Sequence, residues 1–152
     1  MNIAEFVNEQ THKYYWEQDL NCASTTLRIL AEYFGIDLNS QVFDAAIGMH
    51  GAGGYQAQCG LVEGALLFIG ISARAKGIPD PTSIGYCRKL AEIFAASYGS
   101  LECKILRPQG FSPENPPHLC EELTCKAIKR EIELISSWLE MNPRDKLGRA
   151  ND

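Results

Sequence analysis

The chain has 152 residues, 45% of them hydrophobic and 22% charged, which suits a single globular domain with its own core. Its net charge of −5, with no basic block, argues against nucleic acid as a partner. Six cysteines are many for a reducing compartment, where structural disulfides are rare, so the count points to metal binding or redox work.

Met1 to Phe6 holds neither a basic region nor an apolar core, so the expectation is a cytoplasmic chain without a signal peptide. Ile3, Phe6 and Val7 recur at helical spacing and predict a first helix over about 2–18. Tyr14, Tyr15 and Trp16 crowd its end as an aromatic packing corner, and His12 reads as solvated. Asn21 is placed to cap a second helix at Cys22, with Leu27, Leu30, Ala31 and Phe34 on one face and Gly35 ending it. Asn39 and Ser40 precede a short helix over about 41–47. Residues 48–54 hold four glycines, which calls for a sharply bent or closely approached backbone. The Gly-Lys-Ser/Thr ending of a phosphate loop is missing, and His50 reads as a turn residue rather than a ligand.

A mostly apolar run over about 58–76 then reads as a central buried helix, too short to span a bilayer, with Cys59 at its N-terminal mouth. Gly60 and Gly64 lie one turn apart and would let another backbone come close. Glu63 is given a structural role, paired with a base such as Arg88. Residues 77–81 form a turn, and Asp80 or Thr82 caps a helix reaching about Tyr98. Cys87 lies inside that helix and reads as packing. Gly99 breaks the chain before Cys103, and 103–106 reads as a short extended piece. The proline-rich stretch 107–117 leads to His118 and Cys120, beside a helix start. The last helix covers about 123–141, with Ala127, Ile128, Ile132, Ile135 and Leu139 on its apolar face. The expectation is an all-α, single-domain bundle of five or six helices over 1–141, with a polar tail at 142–152.

No Cys-x-x-Cys occurs, so a thioredoxin-type motif, a zinc ribbon and covalent haem attachment are all absent. Cys22 and Cys59 open predicted helices, where a thiolate gains a few tenths to about 1 kcal/mol from the positive helix end. Cys103 and Cys120 sit at loop junctions. An iron–sulfur cluster, a four-cysteine zinc site and a pair of redox thiols could each draw on these four. A binding or scaffold protein with core-filling cysteines is the reading from another class.

Cys59-Gly60-Leu61-Val62-Glu63-Gly64, with Cys22 before it and Cys103 and Cys120 after it, resembles the four-cysteine C_GCAxxG_C_C family of redox-active proteins. The family motif reads Cys-Gly-Ala-x-x-Gly, and Leu61 stands here in place of the alanine. The resemblance covers about residues 21–120 and implies a small helical protein, similar to the non-haem domain of split-Soret cytochrome c. By that similarity Cys22, Cys59, Cys103 and Cys120 would hold a [2Fe–2S] cluster for electron transfer or redox sensing. Zinc or metal-free thiols remain alternatives, as does a dithiol–disulfide oxidoreductase. No catalytic group is assigned, and Cys87 and Cys125 match none of the four positions. The expected partner is an electron-transfer protein, with homodimer assembly and neither nucleic acid nor membrane insertion.

Overall fold

The computed structural model of the chain describes residues 1–143. Most of the expected polar tail, residues 144–152, lies outside the described residues.

Helix α1, Ile3–His12, starts where Asn2 Oδ1 accepts the Glu5 N–H at 2.9 Å and the Glu5 carboxylate accepts the Asn2 N–H at 3.1 Å. This reciprocal cap satisfies two donors that a bare helix end leaves open. The α-register does not run on to Gln18 as expected. Lys13–Glu17 forms a π turn instead, closed by the Leu20 N–H on the Tyr14 carbonyl at 3.0 Å.

Helix α2, Cys22–Phe34, begins at Asn21, whose Oδ1 accepts the Ser24 N–H at 3.0 Å. It ends at Gly35 in the left-handed region, φ 68°, as its sequence predicts. The short α3, Ser40–Ala45, is tied to the start of α2 because Asn21 Nδ2 donates to the Ile47 carbonyl at 2.8 Å. The single turn α4, Gly51–Gly54, holds Ala52 and Gly53 at φ 55° and 67° and is a tight glycine turn rather than a regular helix.

Helix α5, Gly60–Ala75, is the expected central helix, with Leu61, Val62, Ala65, Phe68 and Ile69 buried. Helix α6, Asp80–Tyr98, has Pro79 at the cap position, so neither Asp80 nor Thr82 supplies the side-chain cap. The one-turn α7, Cys103–Leu106, replaces the expected extended piece. Helix α8, Glu121–Trp138, starts two residues earlier than the periodicity indicated.

Among the described residues the fold is all-α and single-domain, with five helices of seven or more residues. Among the described residues the only β-type pairing is an isolated bridge between Gln58 and Glu102. No helix among them is long and apolar enough to cross a membrane.

Helices α2 and α5 form the innermost pair, and α1, α6 and α8 pack around them. A Cβ on Gly64 would sit 2.6 Å from the Ala23 carbonyl oxygen and 2.9 Å from Thr26 Cβ. The two backbones therefore meet where α5 carries hydrogen instead of a side chain. Farther along the pair the contact is aromatic, with Phe34 and Phe68 stacked at 5.6 Å. Each such fully buried apolar side chain contributes on the order of 1.5–3 kcal/mol. The crossing holds the N-terminal ends of both helices together, and a cysteine stands at each.

Candidate functional site

The N-terminal ends of α2 and α5 open into a cavity of about 310 Å³. Cys22, Cys59, Cys103 and Cys120 all line it. Cys22 is the first residue of α2, and Cys59 occupies the cap position of α5. Gly60 brings the two together, since a Cβ there would land on the Cys22 sulfur. The Gly60 and Ala23 N–H groups donate to the Cys22 sulfur, and the Leu61 N–H donates to that of Cys59.

Cys103 is fixed by a short antiparallel clamp. The Cys59 N–H donates to the Leu101 carbonyl at 2.7 Å, and the Cys103 N–H to the Ala57 carbonyl at 2.7 Å. The glycine turn closes behind this clamp, with the Gly51 N–H on the Gln58 carbonyl at 3.0 Å. Gly51 has φ +66°, and a Cβ there would press on Gln56 Cα at 3.3 Å and on Cys103 Cβ at 3.4 Å. The glycine-rich loop thus backs two of the thiols. Cys120 takes the cap position of α8, its carbonyl accepting the Thr124 N–H at 2.8 Å.

All four thiols are free. Burial pushes the Cys22 thiol up to about 12, and Cys120 and Cys103 add to this as like charges. Burial likewise raises Cys59, followed by repulsion from Cys22. Cys103 is raised by burial and by Cys120, with the Arg107 guanidinium pulling the other way. Helix-end N–H groups were expected to favour thiolates here. They do lower Cys22 and Cys59, but dehydration and mutual repulsion outweigh them. Among the described residues no three His, Cys, Asp or Glu side chains converge on a single-ion site.

The rest of the lining is mostly apolar and aromatic. It includes Tyr15, Leu61, Phe111 and Leu123, with Asp19, Asn21, His50, Arg107 and His118 as its polar side chains. His50 belongs to the cavity rather than to the turn alone, and its Nδ1 is buried without a hydrogen-bond partner among the described residues. His118 also lines it, in the left-handed region at φ 58°, with Nε2 3.4 Å from Asp19 Oδ1. Arg107 lies over the Phe111 ring at 4.1 Å.

Tyr15, read as aromatic packing, is 3% exposed, faces the thiols and stacks on His118 at 4.8 Å. Its position depends on contacts across the chain that helical spacing does not reveal. Cys87 lines a separate cleft with Arg74 and Asp80, and Cys125 is half-buried against the core. Glu63 pairs with Gln58 rather than with Arg88, whose partner is Glu92 at 3.0 Å. His12 is an exposed partner of Glu121 at 3.0 Å.

Neither the curated proteins nor the solved structures include a match to this chain. Residues 20–134, which carry all four cavity cysteines, match the sequence profile of the family described as "Putative redox-active protein (C_GCAxxG_C_C)". The chain belongs to that family.

Proposed function

We propose that this protein transfers electrons or senses redox state through an iron–sulfur centre, of [2Fe–2S] type, held by Cys22, Cys59, Cys103 and Cys120. One observation carries the reading: four sequence-distant thiols wall a single cavity. The residues present fit such a group. Soft thiolate donors suit iron–sulfur chemistry, and N–H groups already aimed at sulfur tune it. When bound, the group would take up and release single electrons.

The protein's own part is to hold and shield. The crossing of α2 and α5 fixes Cys22 and Cys59, the 57–59 and 101–103 clamp fixes Cys103, and apolar lining restricts water. A dithiol–disulfide exchanger would need an activated thiolate, whereas burial raises Cys22, Cys59 and Cys103. The partner we propose is an electron-transfer protein, in a reducing cytoplasm that suits free thiols.

Anaerobic reconstitution with iron and sulfide tests the proposal. It should give visible sulfur-to-iron absorption and about two irons per chain. Cys22→Ser, Cys59→Ser, Cys103→Ser and Cys120→Ser should each lose that spectrum, while Cys87→Ser and Cys125→Ser keep it. A wild-type chain that takes up no iron, and instead forms a reversible disulfide among the four, would transfer the function to the dithiol reading.

A further inference from the structure

The cavity thiols sit on backbone that the core holds. Cys22 and Cys59 head long packed helices, and Cys103 is clamped to Ala57 at 2.7 Å. Cys120 differs in the chain that leads to it, the proline-rich stretch 108–117, whose backbone hydrogen bonds stay local. The Gly110 N–H donates to Arg107 and the Asn115 N–H to Ser112, both at 3.0 Å. Asn115 Nδ2 donates to the Gln109 and Gly110 carbonyls at 3.0 and 3.2 Å. The chain entering Cys120 therefore has no backbone tie to another element, and a side chain must supply one.

We infer that Tyr15 supplies that tie, as a positioning residue that latches the Cys120 end of the cavity from both sides. Its ring stacks on His118, two residues before Cys120, with centroids 4.8 Å apart and planes 14° apart. Its hydroxyl hydrogen-bonds to Thr124 Oγ1 at 2.6 Å, four residues after Cys120. Thr124 is fully buried, and its N–H donates to the Cys120 carbonyl at 2.8 Å. The two contacts bracket Cys120 and pin the left-handed His118 backbone, a conformation that costs a non-glycine residue free energy on its own.

The π turn makes this possible, because it carries Tyr14 and Tyr15 to different partners. The Tyr14 hydroxyl donates to Glu32 on α2, while Tyr15 faces α8. Such turns occur often at functional sites. Trp16 adds an edge contact to His118 at 5.1 Å and an indole N–H bond to Glu121 at 2.9 Å, both near solvent. Tyr15 is the buried part of the latch.

The inference rests on the proposed four-thiol centre for its purpose, but its test needs no iron. The reduced, metal-free chain is alkylated anaerobically, and the rate at each cysteine is followed by mass spectrometry. Removing both contacts in Tyr15→Leu should speed alkylation of Cys120 roughly tenfold, through easier local opening, and leave Cys22 and Cys59 near wild-type rates. Tyr15→Phe keeps the ring and should restore part of the protection. If Tyr15→Leu does not fold, Tyr15→Phe and Thr124→Val isolate the hydroxyl contact, and each should raise Cys120 selectively. An unchanged Cys120 rate, or equal acceleration of all six thiols, overturns the latch. Failure of the wild type to take up iron would sink the proposed centre and leave the labelling result standing.

Discussion

A methyl group on Gly60 would land on the Cys22 sulfur and lie 2.8 Å from the Ala23 nitrogen, so that position admits hydrogen alone. The same holds one turn on, where Gly64 faces Ala23 and Thr26 of α2. Gly70 belongs to the same helix, yet a Cβ there meets nothing within 4 Å. The three glycines look alike in a helix and differ only in what crosses above them. Gly60→Ala and Gly64→Ala should each cost about 1–3 kcal/mol, because backbone must move to admit the methyl. Gly70→Ala should gain up to about 1 kcal/mol from helix propensity. Urea unfolding of the three variants checks this, and equal effects at all three sites would show that close approach is not what Gly60 and Gly64 supply. Their spacing one turn apart already signals that approach in the sequence. Which helix comes close is not encoded locally.

At the level of elements, α8 holds a carboxylic acid in the apolar interface with α6. Glu131 is 2% exposed, and neither of its oxygens has a hydrogen-bond partner among the described residues. Burial raises its pKa well above the usual carboxyl range, so the folded state keeps the proton that the unfolded chain gives up. Stability is therefore fully present below the unfolded carboxyl pKa of about 4.3 and falls as pH rises above it, until the raised folded value is reached. Glu131→Gln should flatten that fall. Glu131→Leu should also stabilise at neutral pH by about 1–3 kcal/mol, since an unpaired buried polar group is removed. Thermal unfolding between about pH 4 and 8 checks both, and a wild-type pH slope that survives in Glu131→Gln counts against the assignment. Ile128, Glu131, Ile132 and Ile135 share one helical face, so this burial was open to a reading by period. The starts and stops at Asn21, Gly35 and Gly99 were likewise legible, because cap chemistry is local. The π turn was not. Tyr14 and Tyr15 find their partners 18 and 109 residues away, while apolar spacing runs smoothly through the segment. The α7 turn escaped for a similar reason, since its start is set by backbone bonds from residues 103 and 104 to residues 57 and 56.

Across the whole molecule, the fold gathers four thiols around one cavity, and that has a thermodynamic consequence without any ligand. Their placement at helix starts and loop junctions could be read from caps and glycines. Their convergence could not, because it depends on the α2–α5 crossing and on the 57–59 and 101–103 clamp. In the reduced, metal-free protein, burial and then neighbouring thiols push Cys22 up to about 12, and Cys59 and Cys103 shift in the same direction. The unfolded chain ionises its thiols near about 8.5, so above that pH it binds fewer protons than the folded chain. Stability is thus intact below about pH 8.5 and declines as pH rises, by at most about 1.4 kcal/mol per pH unit for each shifted thiol, continuing for Cys22 toward about 12. Between about pH 8 and 10 the metal-free unfolding midpoint should fall, and Cys22→Ser should fall less steeply. A bound cationic centre reverses the sign of this linkage. Its ligands are thiolates from the outset, so alkali has no proton to remove and acid becomes the destabilising direction. The loaded protein should therefore hold its midpoint over the same alkaline range and lose it on acidification. Anaerobic thermal unfolding of metal-free and loaded protein, side by side at several pH values, makes the comparison. Parallel alkaline slopes in the two forms would mean that the four sulfurs are not what the bound group deprotonates.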